Sequence, residues 1–155
     1  MNEKRLKKFR RIERNLSKEK GAFKLFAIIQ LEELPGLWDV VMSSKNLPEK
    51  DMPTLRYVVE KIHAELTKKE IVQISRIVLL DVKQSFVKEM KRFLVRANNP
   101  KEIFNCEIDD LKIKEGYIIV SPVVIKEDAQ VLVNAKTLND LVNRVNQLER
   151  AVMSG

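Results

Sequence analysis

The chain of 155 residues predicts an α+β fold: a single domain with a mainly antiparallel sheet of about five strands, built from two β-hairpins plus one strand and covered by about four helices. Three observations predict it. Apolar residues recur at helical period in separate blocks along the chain. Between those blocks lie runs rich in Val, Ile, Leu and Phe, and breakers such as Pro35-Gly36 and Asn98-Asn99-Pro100 stand at the joints.

The first element is a basic amphipathic helix over residues 1–20. Leu6, Phe9, Ile12 and Leu16 are spaced three, three and four apart, so they form one apolar stripe, with Arg5 and Glu13 at its flanks. Lys4, Lys7, Lys8, Arg10, Arg11, Arg14 and Lys18 project onto the opposite arc. An α/β core is expected over residues 22–125. Its opening run, Phe23 to Leu31, is apolar on both alternating faces in its middle and suits a central strand. Pro35-Gly36 then satisfies a type II turn, with proline fixing φ at the second position and glycine taking the positive φ of the third. Leu37 to Ser43 returns as the second strand, on which Trp38, Val40 and Met42 share one face and Leu37, Asp39, Val41 and Ser43 the other.

Asp51 is the expected N-cap of a second helix with Pro53 in its first turn and Leu55, Val58, Val59, Ile62 and Leu66 on its apolar side. Val72–Val82 reads as a strand, and Thr67-Lys-Lys-Glu70 matches a capping box that could start a short helix before it. Residues 84–97 return to helical period through Phe86, Met90, Phe93 and Ala97, and Asn98-Asn99-Pro100 ends that helix. Ile103–Ile113 and Tyr117–Ile125 are expected as two strands joined at Lys114-Glu115-Gly116, with Pro122 at an edge or an end. Residues 126–136 receive no assignment. A last helix over 137–152 carries Leu138, Leu141, Val145, Leu148 and Val152 at a/d spacing, a seam that fits either its own sheet or the same helix of a second subunit.

Composition narrows the function classes. The chain is 45% hydrophobic and 33% charged, the balance of a globular protein with a highly charged surface. Its single cysteine, Cys106, cannot form an internal disulfide and no apolar signal segment follows Met1, so a reducing cytoplasm is expected. No apolar run approaches the roughly 20 residues of a transmembrane helix. The net charge of +7 is concentrated: residues 1–20 hold nine basic and three acidic residues, a net +6, which leaves +1 for the other positions. Such a basic face either lies in water or meets phosphates, of nucleic acid or of an anionic membrane surface.

Catalytic chemistry finds little support. His63 and Cys106 are the only residues of their kinds, so a zinc site of three or four soft or imidazole ligands cannot be built, and a His63–Cys106 dyad is the cheapest nucleophilic site available. Asp110-Leu-Lys112 resembles the acid-x-Lys element of metal-dependent nucleases of the restriction-endonuclease type, which would make Asp39, Asp81 or Asp110 metal ligands. The same spacing recurs at Asp81-Val-Lys83 and Glu89-Met-Lys91, as chance gives in so charged a chain. The four glycines are isolated, so no phosphate loop exists, and aromatics at 6% are few for an RNA-stacking sheet.

The sequence thus points to a small, non-catalytic interaction or assembly domain, homodimeric through Leu138, Leu141, Val145, Leu148 and Val152, without cofactor or metal. The alternative is a nucleic-acid or other polyanion binder whose phosphate contacts are Lys4, Lys7, Lys8, Arg10, Arg11, Arg14 and Lys18. A metal-dependent nuclease-like enzyme ranks last.

Overall fold

The computed structural model describes residues 1–47 and 51–124. The expected helix over 137–152, with its seam, lies outside the described residues. Among the described residues nine elements follow one another: α1 (Glu3–Lys20), β1 (Leu25–Leu31), β2 (Trp38–Ser43), α2 (Met52–Glu65), α3 (Lys68–Val72), β3 (Ile74–Leu80), α4 (Ser85–Arg96), β4 (Glu102–Ile108) and β5 (Leu111–Val120). The strands form one sheet in the order β3-β2-β1-β5-β4, antiparallel throughout except for the parallel pair β2–β3. This is the α+β architecture the sequence predicts. No described helix is long and apolar enough to cross a membrane.

Local chemistry sets most element ends where the sequence places them. Asn2 caps α1 by accepting the Arg5 N–H at 2.8 Å, and Gly21, at φ 94°, closes it through its own N–H to the Ser17 carbonyl. Asp51 caps α2 by accepting the Thr54 N–H at 3.2 Å. Thr67 and Glu70 form the reciprocal capping box of α3, so a short helix does precede β3. The turn between β1 and β2 carries the Leu37 N–H to Leu34 C=O bond and Gly36 at φ 81°, the geometry that proline and glycine together demand.

The sheet is buried on both faces. β1, its central strand, has no exposed residue, because its even and odd positions enter different cores. Phe26 and Ile28, with Trp38, Val40 and Met42 of β2, pack against Leu6, Phe9, Ile12 and Leu16 of α1 and Val58 and Ile62 of α2. Leu25, Ala27, Ile29 and Leu31 meet Phe86, Val87, Met90 and Leu94 of α4 on the far side. Trp38 is therefore a core anchor whose ring lies 5.8 Å from that of Tyr117. The stripe of α1 is nearly water-free, and each of its four side chains contributes about 1.5–3 kcal/mol by burial.

One expectation requires correction. The second hairpin does not turn at Lys114-Glu115-Gly116; it turns at Asp109-Asp110, where both residues take positive φ of 50° and 65°, the type I′ pattern that matches strand twist. Gly116 lies inside β5, paired with Ile29 on one side and Ile103 on the other. Its lack of a side chain answers a packing need instead, since a Cβ there would stand 2.8 Å from Ile103 Cγ1 and 3.3 Å from Ile29 Cγ2. β5 consequently ends at Val120, just before Pro122.

The same hairpin bends at Asn105, whose φ is 49°, where β5 also breaks register with β1 between Gln30 and Leu31. Because the bend shifts the side-chain alternation, Ile103, Cys106 and Ile108 all serve the α4 side. Phe104 is left 52% exposed.

Candidate functional site

The buried stripe fixes the rotation of α1, and with it the direction of every charged side chain the helix carries. Two flanks result. On the flank towards α2 and α3, Arg5 Nε and Lys8 Nζ share the Glu70 carboxylate at 3.2 and 2.6 Å, and Arg11 Nη1 reaches Glu65 at 3.2 Å. Lys61 of α2 answers Glu19 at 3.2 Å, and Lys20 Nζ stands 4.9 Å from the centre of the Tyr57 ring. Burial alone would raise the Glu70 pKa, but hydrogen bonds from Lys8 and Thr67, together with the Lys8 charge, hold it at about 2.

The opposite flank looks over β5. Lys7, Arg10, Arg11, Glu13 and Arg14 line a groove of about 570 Å³ whose remaining walls are Lys101, Ile118 and Ile119. Lys101 reaches the groove through topology: it immediately precedes β4, and its carbonyl accepts the Ile118 N–H at 2.8 Å. Arg10 pairs with Glu3 at 2.8 Å at the surface, where such a pair contributes little. Lys4, Lys7, Arg14 and Lys18 are exposed and make no ion pair among the described residues.

The seven basic positions read from the sequence therefore separate. Lys7, Arg10 and Arg14, with Arg11 at their border, converge on the groove, Lys4 and Lys18 stand outside it, and Lys8 is drawn into the fold by Glu70. Sequence reasoning missed Lys101. Nothing at position 101 beyond its charge marks it, because only the strand order β1-β5-β4 brings it beside α1.

The other candidates resolve into structural roles. Asp39 is 2% exposed and receives the Arg76 guanidinium, with Nη2 at 2.6 Å and Nε at 3.2 Å, across the parallel pair in which the two residues are in register. The Asp39 hydrogen bond in turn raises the Arg76 pKa. Asp81 accepts the Lys83 N–H at 2.8 Å in the turn before α4, and Asp109 accepts the Ser85 hydroxyl at 2.7 Å. Among the described residues no group of three or more His, Cys, Asp or Glu gathers as metal ligands would. His63 is exposed on α2 while Cys106 packs on the α4 side of the sheet, so the sheet separates them. Burial pushes the Cys106 thiol up, away from the thiolate form a nucleophile needs.

The groove gathers cations around Ile119, an arrangement that can hold an anion. Comparison with protein-family models, with curated proteins and with solved structures found no match.

Proposed function

We propose that the protein is a small non-catalytic interaction module of the cytoplasm that binds an anionic macromolecule, the phosphate backbone of nucleic acid, along α1. One observation carries this reading. The stripe of α1 is locked into the core, and Lys7, Arg10 and Arg14 are joined at one groove by Lys101 from a distant part of the chain. A charge run that merely kept the helix in water would not gather a cation from another element.

The test is a binding titration of the full chain with labelled nucleic acid at several salt concentrations. If four to six phosphates are neutralised, log affinity falls with log salt at a slope of roughly −3 to −5. Charge reversal at Lys7 and Arg14 together should lower the affinity about 30-fold while the thermal melt stays in place. A lack of binding at low salt would end this reading.

Self-association is the second reading, and the β3 edge favours it. This seven-residue strand, Ile74 to Leu80, has no neighbour on its outer side among the described residues. Arg76 is its only charged residue, and partly exposed Ile77, Val78 and Leu80 lie along it. Edges of this kind invite a further strand. Light scattering separates the routes to a dimer: Val78→Lys yields monomer if the edge pairs, and Leu141→Asp or Val145→Asp does so if the seam of Leu138, Leu141, Val145, Leu148 and Val152 pairs. A monomeric wild type rejects both.

A further inference from the structure

Within the polyanion reading, on which this inference rests, we infer that the groove beside α1 takes single-stranded nucleic acid in preference to a duplex. The cations of α1 divide between two shapes. Lys4, Arg11 and Lys18 recur every seven residues and stand opposite the buried stripe, on the crest of the helix. Lys7, Arg10 and Arg14 lean over Ile118 and Ile119, faced by Lys101.

A duplex is poorly served by the crest. The major groove of DNA, about 12 Å wide, admits a whole helix of about 10–12 Å diameter, but α1 has α2 beside it, tied by the Arg11–Glu65 and Lys61–Glu19 pairs, so a duplex meets it mainly at the crest. A duplex resting on the crest meets Lys4 and Lys18, while Arg11 is already engaged by Glu65, so few cations there are free for its phosphates.

A single strand meets neither obstacle. The groove, at about 570 Å³, is in the range of about 300–1,000 Å³ that accommodates ligand-sized units. It offers the partly buried side chain of Ile119 to a base or ribose, and Lys7, Arg10, Arg14 and Lys101 to the phosphates on either side. Glu13 is the one acidic residue among its described walls. No aromatic residue lines it among the described residues, so the strand is held by charge and apolar contact without stacking, and sequence preference is weak.

The experiment is fluorescence anisotropy with a labelled oligothymidine of about 12 nucleotides, within the usual span of single-strand sites, and with a duplex of the same length. The strand is expected to bind at least about 10-fold more tightly than the duplex at one salt concentration, with a salt slope near −3 for four phosphates at about 0.7 each. Lys101→Glu and Arg14→Glu are each expected to weaken it about 10-fold, and Lys18→Glu less than about 3-fold. Lys101 is exposed and makes no side-chain ion pair among the described residues, and Lys101→Gln, with a smaller expected loss, gives a second route to the same contact. Equal affinity for duplex and strand, or no effect of either Lys101 variant, overturns the inference while leaving the polyanion reading standing. Displacement of the strand by poly-glutamate as effectively as by an unlabelled strand of equal charge overturns it in favour of an acidic protein partner. No binding of either nucleic acid overturns both readings.

Discussion

The two flanks of α1 carry the same kinds of side chain and meet opposite surroundings. Towards α2 and α3, Arg5, Lys8 and Arg11 find Glu70 and Glu65, acids that lie more than fifty residues away in the chain. Towards β5, Lys7 and Arg14 meet no acid that pairs with them, and Lys101 adds to their charge. A charge run in a sequence is therefore not one surface. The fold uses half of it to fix the helix between its neighbours and leaves the other half facing outwards.

The largest effect should come from removing what both flanks share. Phe9→Ala empties a side chain that is 1% exposed beneath α1 and should cost about 3–5 kcal/mol, measured by denaturant unfolding, with loss of binding as a consequence. If the helix kept its affinity after such a loss of stability, the groove would not depend on the seat assigned to it.

The flanks themselves should then part company. Reversal of Lys7 and Arg14 to Glu together is expected to lower nucleic-acid affinity about 30-fold and to leave unfolding free energy within about 0.5 kcal/mol, because neither residue is bound within the fold. A large drop in melting temperature from this pair would erase the distinction between the flanks.

Glu70→Gln supplies the converse and the smallest effect. Glutamine keeps the capping box, so the change isolates the charge that holds Arg5 and Lys8. A loss of about 1 kcal/mol, or a melting temperature lower by about 3 °C, is expected with affinity unchanged. The pH dependence follows from the sign. A folded pKa of about 2 against an ordinary value of 4.5 means that Glu70 stabilises the fold fully above pH 5 and progressively less as pH falls towards 2. Solvent screening reduces that contribution to about 1 kcal/mol as well, and acid titration of the Glu70→Gln protein should be flatter by that amount.

What the sequence reveals of this fold is what its neighbours in the chain determine. The stripe of Leu6, Phe9, Ile12 and Leu16, the Asp51 cap, the Thr67 box and the Pro35-Gly36 turn each depend on residues within a few positions of one another, and all are where the pattern puts them. Gly116 misleads for the opposite reason. It resembles a turn glycine, yet it is required by Ile103 on the adjacent strand and Ile29 on the next, a demand that only tertiary packing creates. The true turn, Asp109-Asp110, lacks the glycine that usually announces a type I′ hairpin. The parallel pairing of β3 with β2 is hidden likewise, because the intervening segment says nothing of which edge it returns to. The candidate site divides along the same line: the basic arc is legible in residues 4–18, whereas its neutralisation by Glu65 and Glu70 and its completion by Lys101 depend on strand order and helix placement.

The parallel attachment of β3 has a consequence for the order in which the molecule comes apart. β1 is gripped by strands on both sides and by helices on both faces, so releasing it means dismantling the core. Among the described residues β3 is hydrogen-bonded along one side only, several of its residues reach water, and the α2–α3 segment that leads into it joins it covalently to β2. It can peel away from β2 while the four antiparallel strands keep their ladder, a partial opening at a fraction of the global cost. The end of the sheet remote from the basic groove is thus the end that breathes, and the platform beneath Ile118 and Ile119 is part of the portion that holds still.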